Sequence, residues 1–202
     1  MAAILRGMIH IFVASTLVSV GAVAAMCAAP VRGAELKVPL TISGGHETDP
    51  KDHGRPVVLV AGALGVKPEV FREAFSGVTP ARDRPPTGEE ARRNKEALMK
   101  VLKPYGVTND RLDEVSNYYR YQPQKGDLWP TTAAEGYAVV ADGKIKQIVV
   151  TKPGAGYSSP PKVMVNGYEK VPLEAKVEYV KDLKKNGAVK SVDITSPDRA
   201  KK

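Results

Sequence analysis

Two stretches of this chain lie on one another residue by residue, and the glycine and proline at their ends leave them few conformations. Gly143 to Pro153 reads GKIKQIVVTKP and Gly187 to Pro197 reads GAVKSVDITSP. Glycine, lysine, threonine and proline coincide, and Ile145 falls on Val189, Ile148 on Val192 and Val150 on Ile194. β-Branched residues at these positions favour an extended backbone. Their spacing of three and then two breaks strict alternation, which predicts a bulge at the same place in both strands.

The first copy runs on into Pro153-Gly154-Ala155-Gly156-Tyr157, where fixed and positive φ values predict a sharp reversal. Pro160-Pro161 then bars pairing until Val163 and Val165 resume a strand. Asp142-Gly143, between Tyr137–Ala141 and Lys144–Thr151, is a strong signal for a two-residue hairpin. Leu173, Ala175, Val177 and Tyr179 alternate with Glu174, Lys176 and Glu178, and Asn186-Gly187 is expected to turn that strand into Ala188–Thr195.

This segment resembles the strand and G-x-G-Y-x-x-x-P-x-V turn repeated in phage tail-fibre and bacterial surface proteins. The resemblance spans residues 137–197 and implies a β-rich extracellular or structural module of the kind used in assembly or adhesion. The preceding half resembles an uncharacterised family of small exported bacterial proteins, which implies an address and no activity.

Upstream the punctuation changes to that of helices. Leu36 to Ile42 alternates and predicts an edge strand, because Pro39 cannot donate to a central ladder. Residues 44–56 are too polar and too rich in glycine and proline for regular structure. Pro56 and Gly65 bracket an apolar run, Pro68 opens a second helix with Val70, Phe71, Ala74 and Phe75 on one face, and Gly77 and Pro80 close it. Thr87 followed by Glu90 fits a capping box for a helix from Gly88 to about Lys103, with Ala91, Leu98, Val101 and Leu102 as its buried stripe. Thr108 or Asn109 caps a last helix to Tyr121 on which Leu112, Val115 and Tyr119 share a face. Residues 122–136 read as the joint, with Trp129 plugging the space between the two layers.

The fold class that follows is α+β, a helical subdomain of about four short helices over 35–121 and a small antiparallel sheet with an internal half-repeat over 137–202.

Residues 1–34 have the layout of a signal peptide: Arg6, an apolar run from Met8 to Val20, then small residues Gly21, Ala22, Ala24 and Ala25. Polar residues interrupt the run, so it is a poor membrane span beside the roughly 20 apolar residues one needs. Cys27, the single cysteine, sits where a lipoprotein signal would place one, but Met26 is too large for the residue before it. Cleavage removes Arg6 and Arg32 and no acid, so the formal charge of +8 falls to +6 and the exported chain stays basic. Outside the cytoplasm such a surface meets anionic envelope polymers, lipid head groups or acidic glycans, or only keeps the protein soluble.

His46, Glu47, Asp49, Asp52 and His53 are the one concentration of metal-capable side chains. Their spacing matches neither a zinc helix nor a calcium loop, so the expectation is a weak divalent-metal site or a solvated loop that caps the helix after Pro56. The alternative function is a metal-dependent hydrolase centred on His46 to His53; a Ser-His-Asp hydrolase, with no Gly-x-Ser-x-Gly elbow to mark its nucleophile, would have to use His46 or His53 with an unmarked serine. Tyr118, Tyr119, Arg120 and Tyr121 form an aromatic and basic cluster, expected to pack the seam with its hydroxyls wet or to present a ligand surface. The tight pair around Gly65 resembles a DNA-binding helix-turn-helix, but an exported chain meets no duplex, so DNA is not an expected partner. Gly154-Ala155-Gly156 lacks the Lys-Ser/Thr and the helix that a phosphate loop requires, and is read as a structural turn. The function expected is an exported, non-enzymatic binding or structural module of the cell envelope or extracellular space, engaging an envelope protein or an anionic polymer. No cofactor is expected.

Overall fold

The computed structural model describes residues 35–79, 81, 84–120 and 128–195. The leader expected over 1–34, Cys27 with it, and Tyr121 lie outside the described residues. Six strands, β1 Leu36–Ser43, β2 Glu135–Ala141, β3 Lys144–Lys152, β4 Lys162–Val165, β5 Leu173–Glu178 and β6 Ala188–Ile194, combine with four helices. The helices are α1 Val57–Leu64, α2 Pro68–Ser76, α3 Gly88–Leu102 and α4 Asn109–Tyr118. All pairing is antiparallel, in a curled sheet ordered β3-β2-β1-β4 and a two-stranded sheet β5-β6. The protein is therefore α+β.

β1 is not the edge strand that Pro39 predicts. Residues Leu36 to Pro39 pair with β2, and Leu40 to Ser43 pair with β4 on the opposite side. Pro39 faces Tyr137 in the half of the strand that has a partner on one side only, so its missing N–H interrupts no ladder and the strand still sits inside the sheet. The strand belongs by sequence to the helical half and is built into the β half.

The two hairpins share one frame. In β2–β3, Val139 faces Gln147 and Val140 faces Ile145, leaving Lys146 as the extra residue. In β5–β6, Lys176 faces Ser191 and Val177 faces Val189, leaving Lys190 at the corresponding position. Each bulge lysine reaches an acid near the hairpin mouth, Lys146 to Asp142 and Lys190 to Glu178. At the other end Thr151 donates to the carbonyl of Glu135 and Thr195 to that of Pro172, both at 3.2 Å. The mouths differ. Asp142 (φ 53) and Gly143 (φ 69) close the first in two left-handed residues, whereas 179–187 separates Glu178 from its partner Ala188. Asn186-Gly187, expected to turn the chain into Ala188–Thr195, does so as the end of a nine-residue connection.

Val189 N–H also donates to Pro153 O at 2.8 Å, bringing β6 against β3, and the strands enclose a core that includes Ala138, Val163, Val165, Ala175 and Val189. The helices enclose a second core. α1, apolar on all sides, buries six of its eight residues, and Leu59 at 0 % exposure contributes about 2 kcal/mol of transfer free energy. α3 opens with the expected capping box: Thr87 Oγ1 accepts from Glu90 N and Glu90 Oε2 accepts from Thr87 N. Its buried stripe is narrower than its periodicity suggests. Leu102 is fully buried, Leu98 and Val101 are half-buried, and Ala91 is exposed.

Trp129 and Arg111 are among the side chains that join the layers. Trp129, 2 % exposed, donates its indole N–H to Gly156 O at 2.8 Å, which places it at the joint where it was expected. Arg111 of α4 donates to Ala63 O at 2.9 Å and to Lys181 O, so it holds the carbonyl end of α1 and the 179–187 connection together.

Candidate functional site

The cleft with the most varied chemistry lies where the loop between β1 and α1 meets α2 and the residues after Tyr157. Left-handed Gly44 and Gly45 turn the chain out of β1, and Gly45 O accepts from the N–H groups of both Ser158 and Ser159. Glu47 closes the same turn. Its carboxylate accepts from Ser159 Oγ and from Gly45 N at 3.0 Å, and its carbonyl from Ser158 Oγ at 2.8 Å. The Ser159 hydrogen bond, more than any other contact, holds the Glu47 carboxyl below its ordinary range.

Further along, Asp49 caps a 3-10 turn over Pro50–Asp52, accepting from Lys51 N at 3.1 Å with the Lys51 ammonium 2.8 Å away. Asp52 turns inward and is 5 % exposed. Arg72, one turn into α2 and twenty residues on, meets it with Nε and Nη2, each 2.8 Å from one carboxylate oxygen. This two-point fork neutralises the buried acid. His53 stays exposed in a left-handed conformation (φ 50), and Arg55 lies with its guanidinium 4.3 Å from the centroid of the Phe75 ring.

Of the five residues proposed as a metal loop, Asp49 and Asp52 share Arg72, whose Nη2 lies 3.8 Å from Asp49. The others do not join them. His46 stacks on Tyr157 at 5.2 Å and 8°, meets the edge of Trp129 at 6.4 Å and places Nδ1 3.3 Å from Gly156 O. Among the described residues no group of three or more His, Cys, Asp or Glu side chains is placed to share one cation. The carboxylates are turned to peptide N–H, serine and arginine donors. In this cleft the hydroxyls of Ser158 and Ser159 both donate to Glu47, and His46 Nδ1 lies 3.3 Å from Gly156 O.

The aromatic cluster is divided by the helix end. Tyr119 is buried and its hydroxyl accepts from Asn186 at 2.9 Å, so that hydroxyl is dry, contrary to expectation. Tyr118 packs edge-on against it at 5.0 Å and Arg120 is exposed, bonded to Asn117, so no flat platform forms over 118–120. In the α1–α2 pair, α1 is buried and the exposed positions Glu69 and Glu73 of α2 are acidic, which opposes a phosphate backbone.

Three hollows flank these elements. One of about 430 Å³ has Asp52, Arg55, Arg72 and Phe75 in its wall, and a neighbour of about 280 Å³ on the other side of the Asp52–Arg72 pair reaches Glu47 and Ser159. A larger groove of about 720 Å³ runs along α3 to the start of α4, past Arg92, Lys95, Met99, Lys103 and Val107. Sequence reasoning singled out neither Arg72 nor Arg55, because each is one cation among many and its role depends on a partner brought up by the fold. Compared with known proteins, the chain matches no family model, no curated protein and no solved structure.

Proposed function

We propose that this protein is an exported, non-enzymatic binding module of the cell envelope or extracellular space, and that the α3 groove receives an anionic polymer. The observation that carries the reading is the spacing of charge in that groove. Arg92, Lys95, Met99 and Lys103 recur three and four residues apart and so share one face of the helix, with Glu96 as the single acid in the wall. Three cations over an apolar strip of Met99 and Val107, of which Lys95 also meets Asp113 at 2.6 Å and Arg92 lies 3.9 Å from Glu96, suit a chain of repeated negative charges with a carbon backbone. Export rests on the signal-type sequence of residues 1–34. Among the described residues no helix is long and apolar enough to cross a membrane.

The test is binding of the purified protein to polyphosphate and to heparin across a salt series. Affinity is expected to fall as salt rises, as counterion release requires, and the double variant Arg92→Gln/Lys103→Gln is expected to lose about tenfold. Binding that ignores both salt and the double variant would overturn the groove, and retention by an acidic protein but by neither polymer would move the partner to the protein class.

A further inference from the structure

We propose that the hollow between the 3-10 turn and α2 is a binding site for a small amphipathic carboxylate, held at Arg55 with its hydrocarbon body against Phe75, Val57 and Val78. This goes beyond the polymer reading, involves a different surface, and stands or falls separately. At about 430 Å³ the hollow falls within the range of roughly 300–1,000 Å³ typical of small-ligand sites.

The wall divides into two chemistries. Val57, Phe75 and Val78 form an apolar side, and Lys51, His53, Arg55 and Arg72 form a basic rim in which Asp52 is the only acid. That acid is already matched: both of its oxygens accept from Arg72. Lys51 is turned to Asp49. Arg55 is differently placed. It spends one N–H on the carbonyl of Asp52 at 3.2 Å and lies 4.3 Å from the Phe75 centroid, and among the described residues its other donors meet no acceptor. A guanidinium held over an aromatic ring and bonded at one nitrogen has given up part of its rotamer freedom before any ligand arrives. Arg55 lines the hollow with donors left over, and a guanidinium can meet a carboxylate at two points. A purely polar anion would leave the valine and phenylalanine wall wet, and a neutral hydrocarbon would leave the fork unmatched. A ligand with a carboxylate head and a tail of several carbons satisfies both.

The experiment is calorimetric titration of the full chain with octanoate, with 1-octanol and acetate as the head-only and tail-only exchanges. Octanoate is expected to saturate one site and to bind about tenfold or more tighter than either comparison ligand. Arg55→Gln is expected to lower its affinity by about tenfold or more, the worth of a charge-assisted pair. Val78→Glu, which sets a like charge on the apolar wall without touching Arg55, is expected to do the same and covers the case in which Arg55→Gln unfolds. Arg92→Gln/Lys103→Gln should leave octanoate binding unchanged. Octanoate binding no tighter than octanol, insensitivity to both pocket variants, or loss in the α3 double variant would each overturn the site.

Discussion

The side-chain amide of Asn186 donates to the phenolic oxygen of Tyr119 at 2.9 Å, linking the end of the β5–β6 connection to the end of α4. The same nitrogen donates to Leu59 O at 2.7 Å, Oδ1 accepts from Val180 N at 2.9 Å, and the backbone carbonyl accepts from Gly156 N. One residue at 0 % exposure thus meets two helices, its own loop and the glycine turn. Asn186→Ala is expected to cost on the order of 3 kcal/mol, because three buried groups lose their partner at once. Tyr119→Phe, which removes only one acceptor, should cost about 1 kcal/mol. Urea unfolding of the two variants checks the order; equal costs would contradict it.

Alkaline titration gives a second view of the same contact. Burial pushes the Tyr119 phenol from 10.0 up to about 12, so the fold favours the protonated form. Its contribution to stability is complete below pH 10.0 and is lost as pH rises through about 12. The wild-type protein should therefore lose stability in that window more steeply than Tyr119→Phe. Parallel profiles would show that the phenol does not titrate with unfolding.

The glycine turn discriminates between space and conformation. Gly156 (φ +83) would bring a Cβ within 2.5 Å of Pro130 O, whereas a Cβ on Gly143 (φ +69) meets nothing within 4 Å. Both alanines incur the left-handed penalty of about 1–2 kcal/mol. Only Gly156→Ala must also displace backbone, so its thermal midpoint should fall well below that of Gly143→Ala.

Breaking the pair under the cleft isolates a buried charge. Arg72→Ala is expected to destabilise by about 3 kcal/mol, because the buried Asp52 carboxylate loses both of its donors. Replacing both, as Arg72→Met with Asp52→Leu, should restore much of that loss. A double-mutant cycle in urea measures the coupling, and a double variant as unstable as Arg72→Ala would refute the account.

What was legible in the sequence was what local chemistry decides. The capping box at Thr87 and Glu90, the αL stop at Gly65, the Asp142-Gly143 hairpin and the bulges at Lys146 and Lys190 are each set within a few residues. What was not legible depends on partners far away in the chain. The placement of β1 needs β2 and β4, which lie about a hundred residues on; Asn186 looked like a turn residue because its three partners are set by packing; Arg72 and Asp52 are ordinary charges until α2 folds back on the loop. In the loop 44–56 the donors that meet the acids, Ser159 for Glu47 and Arg72 for Asp49 and Asp52, likewise come from segments that the sequence does not place beside them.

The unequal mouths of the two hairpins carry one more consequence. A frame that closes with two residues in one copy and nine in the other fixes its strands without regard to what spans the tip. The longer span holds the contacts to the helices, while the short tip at Asp142-Gly143 leaves Gly143 with open space around it. A longer connection at that tip would accordingly grow outward from Gly143 without displacing a neighbour.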